Sequence, residues 1–255
     1  MNLKIGYFYP DLLNLYGDNG NVEILAFRAN ARNINVSIEH ITLNTTLTLN
    51  TMQSLDLIFM GGGPDAKQKA LFEDLLKIKG SYLLDYLNNG GVGLFICGSY
   101  QLLGHYYKTA LGEELPGLGY FDLYTQHFGN DKPRCIGNVI CELNEALVDD
   151  TYFNKSSSFG DTLVGFENHG GRTYLGIAEK PLATIKIGHG NNAEDFTEGA
   201  YRKNAFGTYL HGPVLSKNPQ FADYLIAKSL KIANLSSLND VLIAKAHTAS
   251  KKLNQ

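Results

Sequence analysis

The feature that most constrains this chain is a rhythm in its first hundred residues, where short runs rich in apolar side chains alternate with stretches of helical periodicity. The run Val92 to Ile96 has no polar face to offer water, so it belongs to a strand covered on both sides, as strands are in a parallel sheet wrapped by helices. Lys4 to Tyr9, Val36 to Ile41 and Leu55 to Met60 are the companion strand candidates. Between the first two, Val22, Leu25, Ala26 and Ala29 recur at helical spacing behind Asp18, Asn19 and Gly20, and Asn19 is the expected cap. Asp65 to Leu87 is again helical, with a break expected near Gly80, and Asn88 to Gly91 closes it. The expected fold class is therefore α/β, with a mostly parallel central sheet flanked by helices.

The second half changes character. Leu118 to Tyr124, Arg134 to Glu142, Leu163 to Glu167, Ala183 to Ile187 and Ala205 to Tyr209 read as extended, so strands should outnumber helices there. Pro219 to Lys231 and Val241 to Lys251 read as closing helices. The polar, glycine-bearing segment from Gly188 to Lys203 is expected to be a mobile surface loop. At 255 residues and 44% hydrophobic composition the chain can bury a sizeable core, and it reads as a single domain over residues 1–255. A net charge of -3 carries no basic excess, which argues against nucleic acid and for small-molecule and protein partners. Neither a signal peptide nor a transmembrane segment is legible. The three cysteines, Cys97, Cys135 and Cys141, lack zinc or redox spacing, and a reducing, cytoplasmic setting is expected.

Cys97 carries the chemistry. It follows the apolar strand directly and precedes Gly98, Ser99 and a helical pattern from Gln101. A cysteine on a strand-to-helix turn projects from the carboxyl edge of the sheet and meets the positive end of a helix, which favours a thiolate. A small buried hydrophobe is the competing description of any free cysteine. The nucleophile needs a base and a proton donor. Of seven histidines, His211 best fits, because it follows the strand candidate at Phe206 to Leu210 and precedes Gly212 and Pro213. His169, between Asn168 and two glycines, is second, while His40, His105, His127 and His189 read as surface or structural. Backbone N–H groups at glycine turns supply oxyanion donors, so Gly62 and Gly63 at the end of their strand, and Gly98 after the cysteine, are candidates. The glycine run is not a P-loop, because no Gly-Lys-Ser/Thr follows.

Three ordered motifs then resemble one family. Phe95-Ile96-Cys97-Gly98-Ser99-Tyr100-Gln101 resembles the nucleophile turn of the class I glutamine amidotransferases, with Ser99 where glycine is usual. Gly207-Thr208-Tyr209-Leu210-His211-Gly212 and Gly165-Phe166-Glu167-Asn168-His169 resemble motifs of their cobyric-acid-synthase-like branch. Within that branch the run Gly61 to Pro64 with Asp65, the run Gly165 to Thr173 and Gly188 to Asn192 are similar to the GatD family, the glutaminase subunits of lipid II isoglutaminyl synthases. That resemblance implies hydrolysis of glutamine by Cys97 and His211, with the oxyanion held by Gly63 and Gly98. It further implies a heterodimer with a Mur-ligase-like partner, MurT, acting near the inner face of the membrane. Ammonia would convert the D-glutamate α-carboxylate of lipid II to the amide, with ATP and magnesium on the partner and no cofactor in this subunit.

The resemblance also implies that Arg134 holds the α-carboxylate of glutamine, a task suited to a planar guanidinium fork. Gln101 either touches the substrate or orients the turn. Many class I enzymes carry a glutamate two residues after the histidine, whereas here Pro213 stands. Glu167, with His169, is the support expected in the chain, and a carboxylate from the partner is expected to complete the site. The rivals are an amidotransferase for a corrinoid acceptor, a cysteine hydrolase of another amide, and a non-catalytic scaffold.

Overall fold

The computed structural model describes residues 1–63, 71–155 and 157–253; Pro64 and Asp65, part of the glycine-turn motif, lie outside them. Its centre is a six-stranded sheet in the order β13-β14-β4-β3-β1-β2. The strands are β1 (Asn2–Phe8), β2 (Asn35–Ile41), β3 (Leu57–Met60), β4 (Val92–Ile96), β13 (Ala200–Arg202) and β14 (Ala205–Thr208). All neighbours run parallel except the edge pair β13 and β14. Burial follows this order: β3 and β4 are buried at every residue, whereas β2, on the edge, shows most of its side chains to solvent. The expectation of a mostly parallel, helix-flanked sheet is met.

Helix α1 (Asn19–Asn30) follows β1, and α2 (Leu49–Gln53) precedes β3. The helical break expected near Gly80 takes the form of an irregular turn rather than an end of the helix. Residues 71–88 run on through a π-helical turn at Leu75–Lys79 into α3 (Gly80–Asn88). Gly80 serves packing instead, since a Cβ there would stand 2.5 Å from Leu118 Cδ2 and from the Leu75 carbonyl. Helix α4 (Gly98–Leu102) starts straight after Cys97.

The second half adds two four-stranded sheets, β10-β7-β5-β6 and β12-β11-β8-β9. The first holds β5 (Tyr106–Lys108), β6 (Glu114–Pro116), β7 (Leu123–His127) and β10 (Gly171–Leu175). The second holds β8 (Cys135–Leu143), β9 (Thr162–His169), β11 (Ala183–Ile187) and β12 (Thr197–Glu198). The segment Gly188 to Lys203 is therefore not a mobile surface loop. It contributes β12 and β13 and buries Asn191, Asn192 and Glu198 completely or nearly so. Its polar side chains face inward because they satisfy backbone groups there: Asn191 donates to the Gly199 carbonyl at 2.9 Å and accepts from the Gly199 N–H at 3.0 Å. The closing helices are Pro219–Leu230 and Val241–Lys252. No described helix is long and apolar enough to cross a membrane.

Because the inner strands are parallel, their carboxyl ends lie along one edge of the sheet. Four turns leave that edge: Tyr9 to Asp18 after β1, Gly61 to Gly63 after β3, Cys97 after β4, and Tyr209 to Gly212 after β14. Ligands bind at this edge in open α/β sheets.

Candidate active site

Cys97 stands at φ 52, a left-handed backbone conformation that a side-chain-bearing residue adopts only when its surroundings hold it there. The holding contacts are the Cys97 N–H, which donates to the Thr208 carbonyl at 2.8 Å, and the Cys97 carbonyl, which accepts from Gln101 N–H at 3.0 Å. The hydroxyl of Ser99, buried under the turn, donates to Met60 and Ile96 carbonyls at 2.7 and 3.1 Å, which ties the elbow to β3 and β4. This bond gives serine a purpose where glycine is usual. Gly98, as the first residue of α4, has no intrahelical acceptor for its N–H.

His211 leaves the neighbouring strand. Its backbone is clamped on both sides by Phe166, His211 N–H donating to the Phe166 carbonyl at 2.7 Å and Phe166 N–H to the His211 carbonyl at 3.3 Å. The motif Gly165 to His169 thus braces the histidine by main-chain pairing. The turn after β3 closes the group: a Cβ on Gly62 would lie 3.1 Å from both Cys97 Cβ and His211 Cε1, and 3.2 Å from Asp18 Oδ2. Cys97, His211 and Asp18 therefore surround one glycine.

Asp18 is the residue the sequence reading missed. It is fully buried, its Oδ1 accepts from His211 Nδ1 at 3.1 Å, and its Oδ2 accepts from Gly62 N–H at 2.7 Å. The position looks like helix punctuation, and it is the residue that precedes α1, yet its carboxylate makes no cap bond. Asn14 supplies the cap instead, its Oδ1 accepting from Asn19 N–H at 2.9 Å. The expected cap, Asn19, is the first residue of the helix. The available signal was an acid on the loop after β1, at the sheet edge that carries Cys97 and His211. With Asp18 on the second ring nitrogen of His211, the carboxylate expected from a partner has no vacant place there.

Burial opposes a charge on His211, but the Asp18 carboxylate and the neighbouring Cys97 sulfur outweigh it and push the imidazole up to about 10. The ring is therefore an imidazolium near neutral pH, with Nε2 as its remaining donor, and among the described residues that atom has no hydrogen-bond partner. Next to a sulfur, a cationic ring favours the thiolate and provides a proton for a departing group.

The other expected residues are placed differently. Glu167 does not reach His211; its carboxylate accepts from His189 N–H at 2.7 Å, His189 Nδ1 at 2.8 Å and Gly190 N–H at 2.9 Å. Burial works against its charge, yet the His169 ring 3.7 Å away and the bonds from His189 prevail and hold its carboxyl below the usual range. His169 stacks on Tyr209 at 3.7 Å and uses Nδ1 on the Gly171 carbonyl at 2.7 Å, so it supports the strand leading to His211. Gln101 is buried, and its amide donates to the Tyr209 hydroxyl at 3.0 Å, a bracing position. Glu198, which sequence reading placed in a loop, accepts from the Thr208 hydroxyl and from Tyr209 N–H; burial pushes its carboxyl up to about 7. Arg134 is exposed and bonds Asn168, which in turn contacts Tyr16 against the His211 ring. Among the described residues no cluster of side chains is arranged for a metal ion.

A cysteine on a strained elbow, a histidine from the adjacent strand and a buried carboxylate behind it, all at the carboxyl edge of a parallel sheet, are the groups that a thiol-dependent amidohydrolase needs in one place. The chain belongs to the CobB/CobQ-like glutamine amidotransferase family, whose domain matches residues 4–219. It is 43% identical over 227 residues to the lipid II isoglutaminyl synthase (glutamine-hydrolyzing) subunit GatD of Staphylococcus aureus, covering 89% of this chain and 84% of that one. To the corresponding Streptococcus pneumoniae subunit it is 39% identical, covering 90% and 81%. A probable cobyric acid synthase of Methanococcus maripaludis is 31% identical over 191 residues, but only 34% of that protein is covered. Among solved structures, PurLQS from Thermotoga maritima superposes with a TM-score of 0.62 at 13% identity, covering 92% of this chain and all of that one. The glutaminase domain of Trypanosoma brucei CTPS gives 0.56 at 11% identity, covering 91% and 96%. At those identities the likeness is one of fold. The chain is a glutamine amidotransferase.

Proposed function

We propose that this chain is the glutamine-hydrolysing subunit of a lipid II isoglutaminyl synthase, working in the cytoplasm with a Mur-ligase-like MurT subunit. It delivers ammonia for amidation of the D-glutamate α-carboxylate of lipid II. The chemistry rests on one observation, the buried contact of His211 with Asp18 beside Cys97. The acceptor rests on length: the relatives acting on lipid II match this chain nearly end to end, whereas the cobyric acid synthases are matched over about a third. That difference favours lipid II over a corrinoid.

In this reading the Cys97 thiolate attacks the side-chain amide carbon of glutamine, and backbone N–H groups of Gly63 and Gly98 hold the tetrahedral oxyanion. His211 gives its Nε2 proton to the amide nitrogen, the carbon–nitrogen bond breaks, and ammonia leaves. Water then attacks the thioester, His211 takes one of its protons, and glutamate departs with the thiolate regenerated. Asp18 fixes the ring orientation and stabilises the imidazolium, the part a buried aspartate plays in a serine-protease triad. Arg134 holds the α-carboxylate of the substrate as a planar fork.

The complex purified with its ligase partner, given lipid II, ATP and glutamine, is expected to yield amidated lipid II. Cys97→Ala is expected to abolish this with glutamine and to retain it with an ammonium salt. Release of glutamate by the Cys97→Ala complex would defeat the assignment of the nucleophile, and failure to amidate lipid II from either nitrogen source would defeat the acceptor.

A further inference from the structure

Arg134 meets the substrate-free site with its fork already occupied. Nε and Nη2 both donate to Asn168 Oδ1, at 3.1 and 3.0 Å, and Nη2 also donates to the Asn168 carbonyl at 3.1 Å. The Nε and Nη2 edge occupied here by one amide oxygen is the edge on which a carboxylate would seat its two oxygens. The opposite end of the same amide, Asn168 Nδ2, donates to the Tyr16 hydroxyl at 2.6 Å. These partners also fix which way the amide points, since the reverse orientation would face its NH2 toward the guanidinium.

Tyr16 in turn bears on the catalytic centre. Its ring meets His211 edge-on, with centroids 4.8 Å apart and planes at 70°. His211 is 1% and Cys97 7% exposed, whereas Tyr16 is 42% exposed, so the tyrosine is the outer layer over the histidine. Its backbone sits at φ 55, a left-handed conformation that in a non-glycine residue persists only where contacts hold it. Asn168 provides one such contact. A continuous chain of bonds therefore links Arg134, through Asn168, to the ring that covers His211.

We propose that Asn168 is a substrate-responsive latch, its amide oxygen holding the Arg134 fork until the α-carboxylate of glutamine displaces it and frees Tyr16 from His211. The proposal rests on the carboxylate role given to Arg134 above. The exchange is favourable because a carboxylate brings a full negative charge and two oxygens to the fork, whereas the amide offers it one neutral oxygen. Its consequence is specificity: an amide lacking the α-carboxylate cannot release the latch, so the site rejects it although its reacting group is the same. Asn168 and Tyr16 are positioning residues, acting through Arg134 and His211.

The test is steady-state kinetics of the assembled complex with glutamine and with 4-aminobutanamide, which carries the amide without the α-carboxylate. Asn168→Asp places a permanent carboxylate in the fork and is expected to raise KM for glutamine about ten-fold or more with little change in kcat. Asn168→Ala is expected to leave KM for glutamine unchanged or lower and to raise turnover of 4-aminobutanamide. Tyr16→Phe, which keeps the ring and cuts the tie, is expected to raise turnover of 4-aminobutanamide likewise. If Asn168→Ala raises KM for glutamine as Asn168→Asp does, Asn168 only steadies Arg134 and the latch is wrong. If Arg134→Lys raises KM while Asn168→Asp does not, the latch fails and the carboxylate role of Arg134 stands. If neither changes KM, the role of Arg134 fails as well.

Discussion

Asp18 makes one carboxylate serve two elements, because Oδ1 holds the His211 ring and Oδ2 holds the Gly62 N–H. Replacing it with asparagine keeps the shape but removes the charge that stabilises the imidazolium. We expect Asp18→Asn to lower kcat by about 10²–10⁴, the upper figure being the loss on altering the orienting aspartate of a serine protease, with KM for glutamine little changed. Rates measured against pH carry the sharper test. Against burial, the Asp18 carboxylate and the Cys97 sulfur push His211 up to about 10, so without Asp18 it should titrate lower and the alkaline fall in activity should move toward neutral pH. The same shift affects stability, because the folded value lies above the unfolded one near 6.5. The stabilisation from His211 is fully present below about 6.5 and is lost as pH rises through about 10. Denaturant melts of wild type and Asp18→Asn between pH 6 and pH 10.5 should therefore converge as pH rises; a gap that widens would remove Asp18 from this role.

At the scale of elements, the turn after β3 is as exacting as any side chain. Gly62 is needed for close approach, since its Cα stands where a Cβ would contact Cys97, His211 and Asp18 at 3.1–3.2 Å. Gly62→Ala should leave the sheet and the melting curve nearly unchanged while reducing kcat by about ten-fold, because its neighbours must give by a few tenths of an ångström and a full ångström would cost about 10². Circular dichroism and glutamate release on one sample separate the two effects. A drop in melting temperature that accounts for the lost activity would show the glycine to be a folding requirement. The second motif acts through the backbone in the same way: Phe166 carries no chemistry, but its N–H and C=O fix the segment that presents His211.

Over the whole molecule, a charge cluster ties the beginning of the chain to its end. Arg28 on α1 is buried and bonds both Asp223, on the helix Pro219–Leu230, and Asp240, which precedes the last helix, with Arg32 also on Asp223. These contacts brace α1, whose preceding loop carries Asp18 and Tyr16. Arg28→Ala leaves Asp240 without its cation while Asp223 keeps Arg32, and since both carboxylates keep some solvent contact the loss should be about 2–3 kcal/mol. That corresponds to roughly 5–10 °C in melting temperature for a chain of this size, read by calorimetry. At low temperature kcat should remain within about three-fold of wild type, because no reacting group is touched. A large loss of kcat with no change in melting temperature would place Arg28 in the site instead.

The central sheet was legible because its signals are local. Val92 to Ile96 is apolar at every position, and only a strand covered on both faces accommodates that. Cys97 was legible for the same reason, as its turn follows from the sequence on either side. His211 could be selected because a strand delivers it to the same sheet edge. Partners that meet only in three dimensions were hidden. Asp18 and His211 are 193 residues apart, and nothing beside Asp18 distinguishes an acid that binds a distant imidazole from one that caps its own helix. The polar segment from Gly188 to Lys203 failed for a related reason. Its polarity looks like exposure until Asn191 and Glu198 are seen to satisfy buried groups on neighbouring strands. The sequence by itself determined the sheet and placed Cys97 and His211 at its carboxyl edge, through periodicity and turn chemistry. Tertiary structure decided the carboxylate behind the histidine and the contacts over its mouth, because hydrogen bonds between distant segments leave no periodic trace.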